Sequence, residues 1–222
     1  MRQVAFVDAN GEVAVHSGDD CIRAFGHVGG EGFSVQANMM ERDTVWKAMA
    51  DSYRSAEGDL PDRLLASLVA AQREGGDIRG MQSAAMLIVE AEPTGTEWGD
   101  RVLDLRIEDH PSPLDELAKM LRLWRAYGHA ERAEELELVD DLDGALRERL
   151  ASLGVAPDHP EIAFWAAIAM AQAGRLDDAE RTVAIAHAAG AGWAELLRRV
   201  VTDGQIELSD AALAALGGSS AP

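Results

Sequence analysis

Cysteine is nearly absent: Cys21 is the one thiol in 222 residues. That excludes an internal disulfide and a multi-thiolate zinc site, and it fits a reducing compartment, so a cytoplasmic protein is expected. Long apolar runs are missing too. No stretch approaches the ~20 residues a membrane helix needs, and Met1-Arg2-Gln3 leads straight into a strand-like segment rather than a signal peptide's apolar core, so neither export nor a membrane anchor is expected. Basic residues are scarce, 20 against 39 acidic ones, for a formal net charge of -19. A phosphate backbone or an anionic bilayer would be repelled, which argues against nucleic acid and membrane as partners.

Several chemical signatures are absent as well. The six histidines, His16, His27, His110, His129, His159 and His187, form no pair at helical or His-x-His spacing, so no metal site is indicated. Ser17, Ser34 and Ser83 lack a Gly-x-Ser-x-Gly elbow, and no glycine-rich loop has phosphate-cradling spacing. An ordinary serine hydrolase is therefore disfavoured, as is a nucleotide-binding protein, and no cofactor is expected.

What is present reads as two parts. Residues 2–7 and 12–16 are valine-rich runs around Asn10-Gly11, a hairpin signal, and a second hairpin is expected around Gly29-Gly30-Glu31-Gly32 from segments 24–28 and 32–38. Two helices follow. Thr44 is placed to cap the first, which carries Trp46, Met49 and Tyr53 on one stripe; Pro61 opens the second, with Leu64, Leu65, Leu68 and Val69, and Gly75-Gly76 ends it. Strand pattern returns at 81–90 and 101–108. Pro111 and Pro113 then mark a boundary between a domain at 1–110 and a domain at 113–222 that is almost wholly helical.

Within the helical half, Gly128 and Gly174 are each followed five residues on by Ala-Glu. In helical-hairpin repeats a glycine ends one helix and a small alanine lets the next approach, so a tetratricopeptide-like hairpin pair is one reading and an ordinary bundle the other. Ile162, Trp165, Ile168 and Ala169 recur at helical spacing as core rather than as a cofactor box. The run 131–143 holds seven acids against Arg132 alone, which is read as a solvated face. Residues 217–222 are expected to fray.

Stretches of the first half, GDDCI at 18–22, Gly26-His27, GEGFSVQANMM at 30–40, Thr44-Val45-Trp46, GGDIRGMQSA at 75–84 and the segment 100–110, together resemble the bacterial family catalogued as domain of unknown function one-zero-two-eight. The resemblance implies an N-terminal-nucleophile (Ntn) hydrolase-like fold. The expected class is α+β: part of an αββα sandwich of antiparallel sheets, followed by an α-helical hairpin domain. Residues 113–222 are similar to a helical extension that some members carry and that is associated with peptidoglycan binding. An acidic cytoplasmic module has no evident reason to meet cell-wall polymer, so contact with a protein partner is expected ahead of it.

Ntn hydrolysis uses the side chain of residue one, a Ser, Thr or Cys, with its own α-amine as base. Met1 cannot attack an amide carbonyl, nor can Arg2 behind it. Family members carry further residues ahead of the segment matching Arg2, so this chain is expected to lack the nucleophile-bearing strand and to be inactive alone, with unpaired sheet edges that favour self-association.

Residues that could line a binding site remain. Alternation puts Gln36 and Asn38 with Ser34 on one face of a strand, either lining a cleft that holds a carbonyl or its oxyanion, or forming a solvated face. Asp77, Arg79, Gln82 and Ser83 follow the helix-ending Gly-Gly, where opposite charges either orient a polar ligand or fix the loop. Asp104 and Arg106 share a strand face and either extend that network or form a cross-strand ion pair. His27 lies inside a dense motif and is read as a site residue or a satisfied structural histidine. Two functions stay open: an amide or peptide hydrolase acting on a small amide or peptide substrate, and a non-catalytic binding or scaffolding protein working through its helical half.

Overall fold

The computed structural model describes residues 2–96 and 98–218; Met1, and the end of the segment expected to fray (219–222), lie outside them. The fold is mixed, with about half the chain helical and a minor share of strand. Its two compact units are Met1–Leu121 and Arg122–Pro222.

In the first unit, β1 (Gln3–Val7) pairs antiparallel with β2 (Val13–Ser17), from Gln3↔Ser17 to Val7↔Val13. Their loop is held by Asp8, whose Oδ1 accepts from the backbone N–H groups of Asn10 (2.9 Å) and Glu12 (2.8 Å). β3 (Gly26–Gly30) pairs with β4 (Phe33–Ala37) across a two-residue loop, and β5 (Ala84–Val89) pairs with β6 (Arg101–Ile107) with a register shift at Ile88/Val89. These are three separate two-stranded antiparallel sheets among the described residues.

A lone hairpin is marginal in water, so each needs a backing surface. The sheet of β3 and β4 takes it from α1 (Val45–Ser55), which packs on both strands. Gly26 makes this close approach possible: a Cβ there would stand 2.4 Å from Cε2 of Trp46. The sheet of β5 and β6 contributes Met86, Leu103 and Leu105 to a core that also takes Leu117 and Leu121 from α3 (Pro113–Glu137) and is flanked by Leu64, Leu65 and Leu68 of α2 (Leu60–Arg73). Burying a leucine completely, as at Leu117, contributes roughly 2 kcal/mol.

Two local expectations are corrected. Thr44 stands at the N-cap of α1 but makes no capping hydrogen bond, because its hydroxyl donates to the Glu74 carboxylate instead. Asp104 and Arg106 form an ion pair along their own strand (2.9 Å), joined by Arg101 (3.1 Å), rather than a bridge across strands.

Among the described residues β1 and β5 each hydrogen-bond one neighbouring strand, and both display large apolar side chains: Phe6 is 68% exposed, Val7 63%, Leu87 56% and Val89 55%. Open, apolar edges template further pairing. The chain is therefore expected to self-associate as its concentration rises, and F6K together with L87K to shift light scattering toward monomer. A wild-type chain monodisperse as monomer at high concentration contradicts this.

The second unit comprises the rest of α3, then α4 (Leu142–Val155), α5 (Pro160–Gln172), α6 (Leu176–Ala189), α7 (Gly192–Thr202) and α8 (Asp210–Ala215). Helix α5 is apolar around most of its circumference and is the centre of the unit, with Phe164, Ala167, Ile168, Met170 and Ala171 packed against Ala179, Val183 and Ala186 of α6 and Leu197 of α7.

The paired Gly-to-Ala-Glu spacing marks a helix end only once. Gly174, at φ 75°, lies between α5 and α6, where a left-handed residue terminates a helix. Gly128 sits inside α3, which runs unbroken to Glu137. An interior glycine costs a helix only ~1 kcal/mol. Here its neighbours are held by tertiary bonds: His129 Nδ1 lies 2.6 Å from Glu148 Oε2, and Ser152 Oγ donates to the Ala126 carbonyl at 2.7 Å.

Tyr127 Oη donates to Glu161 Oε2 at 2.7 Å, and burial first, then this carboxylate, pushes its pKa up to about 12. A raised folded pKa means the stabilisation is whole below the ordinary tyrosine value near 10 and is lost as pH rises through the folded value. Y127F is expected to cost ~1 kcal/mol at neutral pH and to remove the late-ionising component from a tyrosinate absorbance titration. An unchanged titration would show that Tyr127 is not held this way.

Candidate functional site

The end of β4, the loop following α2 and the start of β1 converge on a cleft of about 700 Å³. Six of the residues singled out from the sequence line it: Gln36, Asn38, Asp77, Arg79, Gln82 and Ser83. His27 is not among them. Its Nδ1 lies 2.9 Å from Ser17 Oγ, and Ser17 Oγ accepts from Gln3 Nε2 at 2.8 Å, so the histidine is one hydroxyl removed from the wall. Which ring nitrogen carries the proton follows from this bond: if Ser17 donates, Nδ1 is the bare nitrogen.

The loop that supplies Asp77 and Arg79 is held on both sides. Glu41 N–H donates to the Gly76 carbonyl (2.9 Å) and Ile78 N–H to the Met39 carbonyl (3.0 Å), with a bridge between Met40 and Asp77. Met39, directly after Asn38, takes φ 62°. A left-handed methionine costs on the order of 1 kcal/mol and persists because these bonds over-determine it.

Asp77 and Arg79 grip each other: Arg79 Nε and Nη2 donate to Oδ1 (2.9 Å) and Oδ2 (2.7 Å), and the Arg79 amide also donates to Oδ1 (2.8 Å). The Arg79 guanidinium holds the Asp77 carboxyl below the usual aspartate range, against the opposing effect of burial, and Asp77 raises Arg79 in turn. Arg79 is 68% exposed, so the pair fixes the loop's shape more than it adds stability.

The other polar walls are carboxamides. Sequence alternation brings out Gln36 and Asn38; the fold adds Gln3 from β1 and Gln72 from the last turn of α2, beside Gln82. Gln3 Nε2 is within hydrogen-bond reach of the Gly26 (3.1 Å) and Ala37 (3.0 Å) carbonyls, which ties the first hairpin to the second. Asn38 Oδ1 is buried with no protein donor in reach. Leaving such an acceptor unmatched costs ~1–3 kcal/mol.

Of the five carboxamides, Gln3 has its NH2 group engaged by Ser17 and the Gly26 and Ala37 carbonyls, while Gln36, Asn38, Gln72 and Gln82 line the cleft as neutral polar groups, the pattern that matches a peptide group or another uncharged amide. Among the described lining residues none is a histidine, and the one carboxylate, Asp77, is already paired with Arg79. A second, apolar cleft of about 520 Å³ shares Gln36, Met49 and Leu68 with the first and adds Phe6, Phe33, Tyr53, Leu64 and Met86. Among the described residues no cluster of three His, Cys, Asp or Glu could hold a metal ion, and no helix is long and apolar enough to cross a membrane.

Comparison with known proteins bears on residues around this cleft. No curated protein matches the chain. A crystal structure of a DUF1028-family protein from Silicibacter pomeroyi is similar at 29% identity with a TM-score of 0.45; the match covers 54% of this chain and 50% of that one, so the chain spans about half that relative's length. The model of the family of unknown function DUF1028 matches residues 1–117, a segment that contains every residue lining the polar cleft. With more than half of its 222 residues matched, the chain belongs to the DUF1028 family, a family of unknown function.

Proposed function

We propose that the carboxamide-walled cleft binds a small amide or peptide carrying an apolar substituent, as the ligand-holding part of an Ntn-type amidohydrolase. The observation that carries this reading is the five carboxamides around one cleft with the buried, unmatched Asn38 Oδ1 among them. The adjoining apolar cleft, shared through Gln36, suits the substituent.

Hydrolysis needs an activated nucleophile. Ser83 is in the cleft with no histidine among the described lining residues, so the cleft by itself supplies no activated nucleophile. The role proposed for this chain alone is binding without turnover. The buried, free thiol of Cys21 fits a reducing, cytoplasmic setting.

Titration with N-acetylphenylalanine amide tests the proposal. The side-chain NH2 resonances of Gln36 and Asn38 are expected to shift saturably, with no free acid released. Unmoved resonances overturn the binding site, and steady release of N-acetylphenylalanine overturns the absence of turnover. Because Asp77 is held low and Arg79 high, neither changes charge between about pH 5 and 8, and affinity is expected to be flat there. A depressed carboxyl contributes above its unfolded pKa and loses that contribution as pH falls through the folded value. Affinity should therefore fall only below the ordinary aspartate range, as the loop loosens.

A further inference from the structure

The turn joining α3 to α4 presents Leu138, Val139 and Leu142 to solvent, at 86%, 71% and 58% exposure. They are not on a frayed end. Asp140 takes φ 60° and closes α3; Asp141 N–H donates to the Leu136 carbonyl (3.0 Å), Asp140 N–H donates to the Glu137 carbonyl (3.2 Å), and Asp141 Oδ1 caps α4 by accepting from Gly144 N–H (2.9 Å). The backbone is pinned on both sides of three apolar side chains that the described residues leave largely exposed.

Leu142 and Glu137 also line a cleft of about 360 Å³, floored by Trp165, Ile168 and Ile206. The Arg149 guanidinium in it is nearly buried and already satisfied: it donates to both Glu137 oxygens (3.2 and 3.1 Å) and lies 5.9 Å from the Trp165 ring centre. It therefore leaves little positive charge for an anion. The surroundings are strongly acidic, seven acids between residues 131 and 143 against Arg132, which itself pairs with Glu148.

The charge decides the occupant. Nucleic acid and anionic lipid are repelled, and a second copy in a two-fold contact would set this acidic corner against itself. We propose that the α3–α4 corner and its cleft dock a basic amphipathic helix from a partner protein, its apolar stripe on Leu138, Val139, Leu142 and Trp165 and its lysines or arginines on Glu134, Asp140 and Asp141. An apolar anchor inside a charged rim is the arrangement by which grooves take amphipathic helices.

The test uses the full chain and a fluorescent leucine–lysine peptide of about 14 residues with its leucines at helical period. Anisotropy is expected to report saturable binding that weakens about tenfold or more in L138S/V139S/L142S and changes less than about twofold in I22S, which alters an apolar residue of similar exposure in the other unit. A peptide of the same composition with the leucines taken off the helical period should bind about tenfold more weakly. Because all three replaced side chains are exposed, circular dichroism should show the triple variant folded. Equal binding by the triple variant, or by the scrambled peptide, would reduce the effect to bulk charge and overturn the proposal. So would a self-associated wild-type chain that the triple variant dissolves, which would make a second copy the occupant.

Discussion

F164A is expected to lower the stability of the helical unit by ~3–5 kcal/mol, the cost of lost transfer energy together with the cavity left behind. Phe164 is fully buried at the middle of α5. Its ring meets Trp165 edge-on at 5.1 Å and Trp193 at 5.2 Å, so truncation removes both contacts at once. Neighbouring alanines 163, 166 and 167 have no reach to refill the space, which places the variant toward the upper end of the range. For a unit of this size each kcal/mol shifts the melting midpoint by several degrees, so a drop of about 15 °C or more is expected by circular dichroism. F164L, which keeps most of the volume, should cost well under half as much. A midpoint lowered by only a degree or two would mean that α5 is not the centre of this core.

Phe164 also illustrates what a sequence can and cannot express. The apolar run of α5 is evident from spacing, and its burial follows because a helix apolar on most sides has nowhere else to go. The hairpins are equally local, since Asn10-Gly11 and Glu31-Gly32 carry their turn conformations with them. Alternation along β4 is enough to put Gln36 and Asn38 on one face, and the glycines after α2 are enough to make 77–83 a loop. That these two segments share a cleft is a different kind of fact, because it depends on pairing between residues 39–41 and 76–78 that no local pattern announces. Gln3 and Gln72 are missed for the same reason: each is an ordinary polar residue at an element's end until the tertiary fold turns it inward. Gly128 errs in the other direction. Its local signal for a helix end is overridden by bonds from its neighbours to α4 and α5. The outward display of Leu138 and Val139 is likewise invisible to periodicity, which would give exposed leucines to a core.

Replacing Gln36 and Asn38 together by leucine is expected to reduce amide affinity by about 30-fold or more. Each carboxamide lost forfeits a hydrogen bond with a net worth of ~1 kcal/mol, and the ligand's own N–H and carbonyl, once buried without partners, add a desolvation cost of similar size. Leucine keeps close to the volume of both side chains, so the change probes hydrogen bonding rather than packing. It should also leave the fold intact, because Asn38 Oδ1 has no protein donor to lose and Gln36 makes only weak contacts with Ser34, at 3.3 and 3.5 Å. If Asn38 Oδ1 is an unmatched buried acceptor, N38L alone should raise the melting midpoint while lowering amide binding, a trade that a solvated surface residue would not make. Calorimetric titration of the double variant beside Q82L, at the far wall of the cleft, separates the two accounts. Equal losses for the double variant and Q82L would spread recognition evenly around the cleft. An affinity unchanged in the double variant, with the fold intact, would return Gln36 and Asn38 to the role of a hydrated strand face.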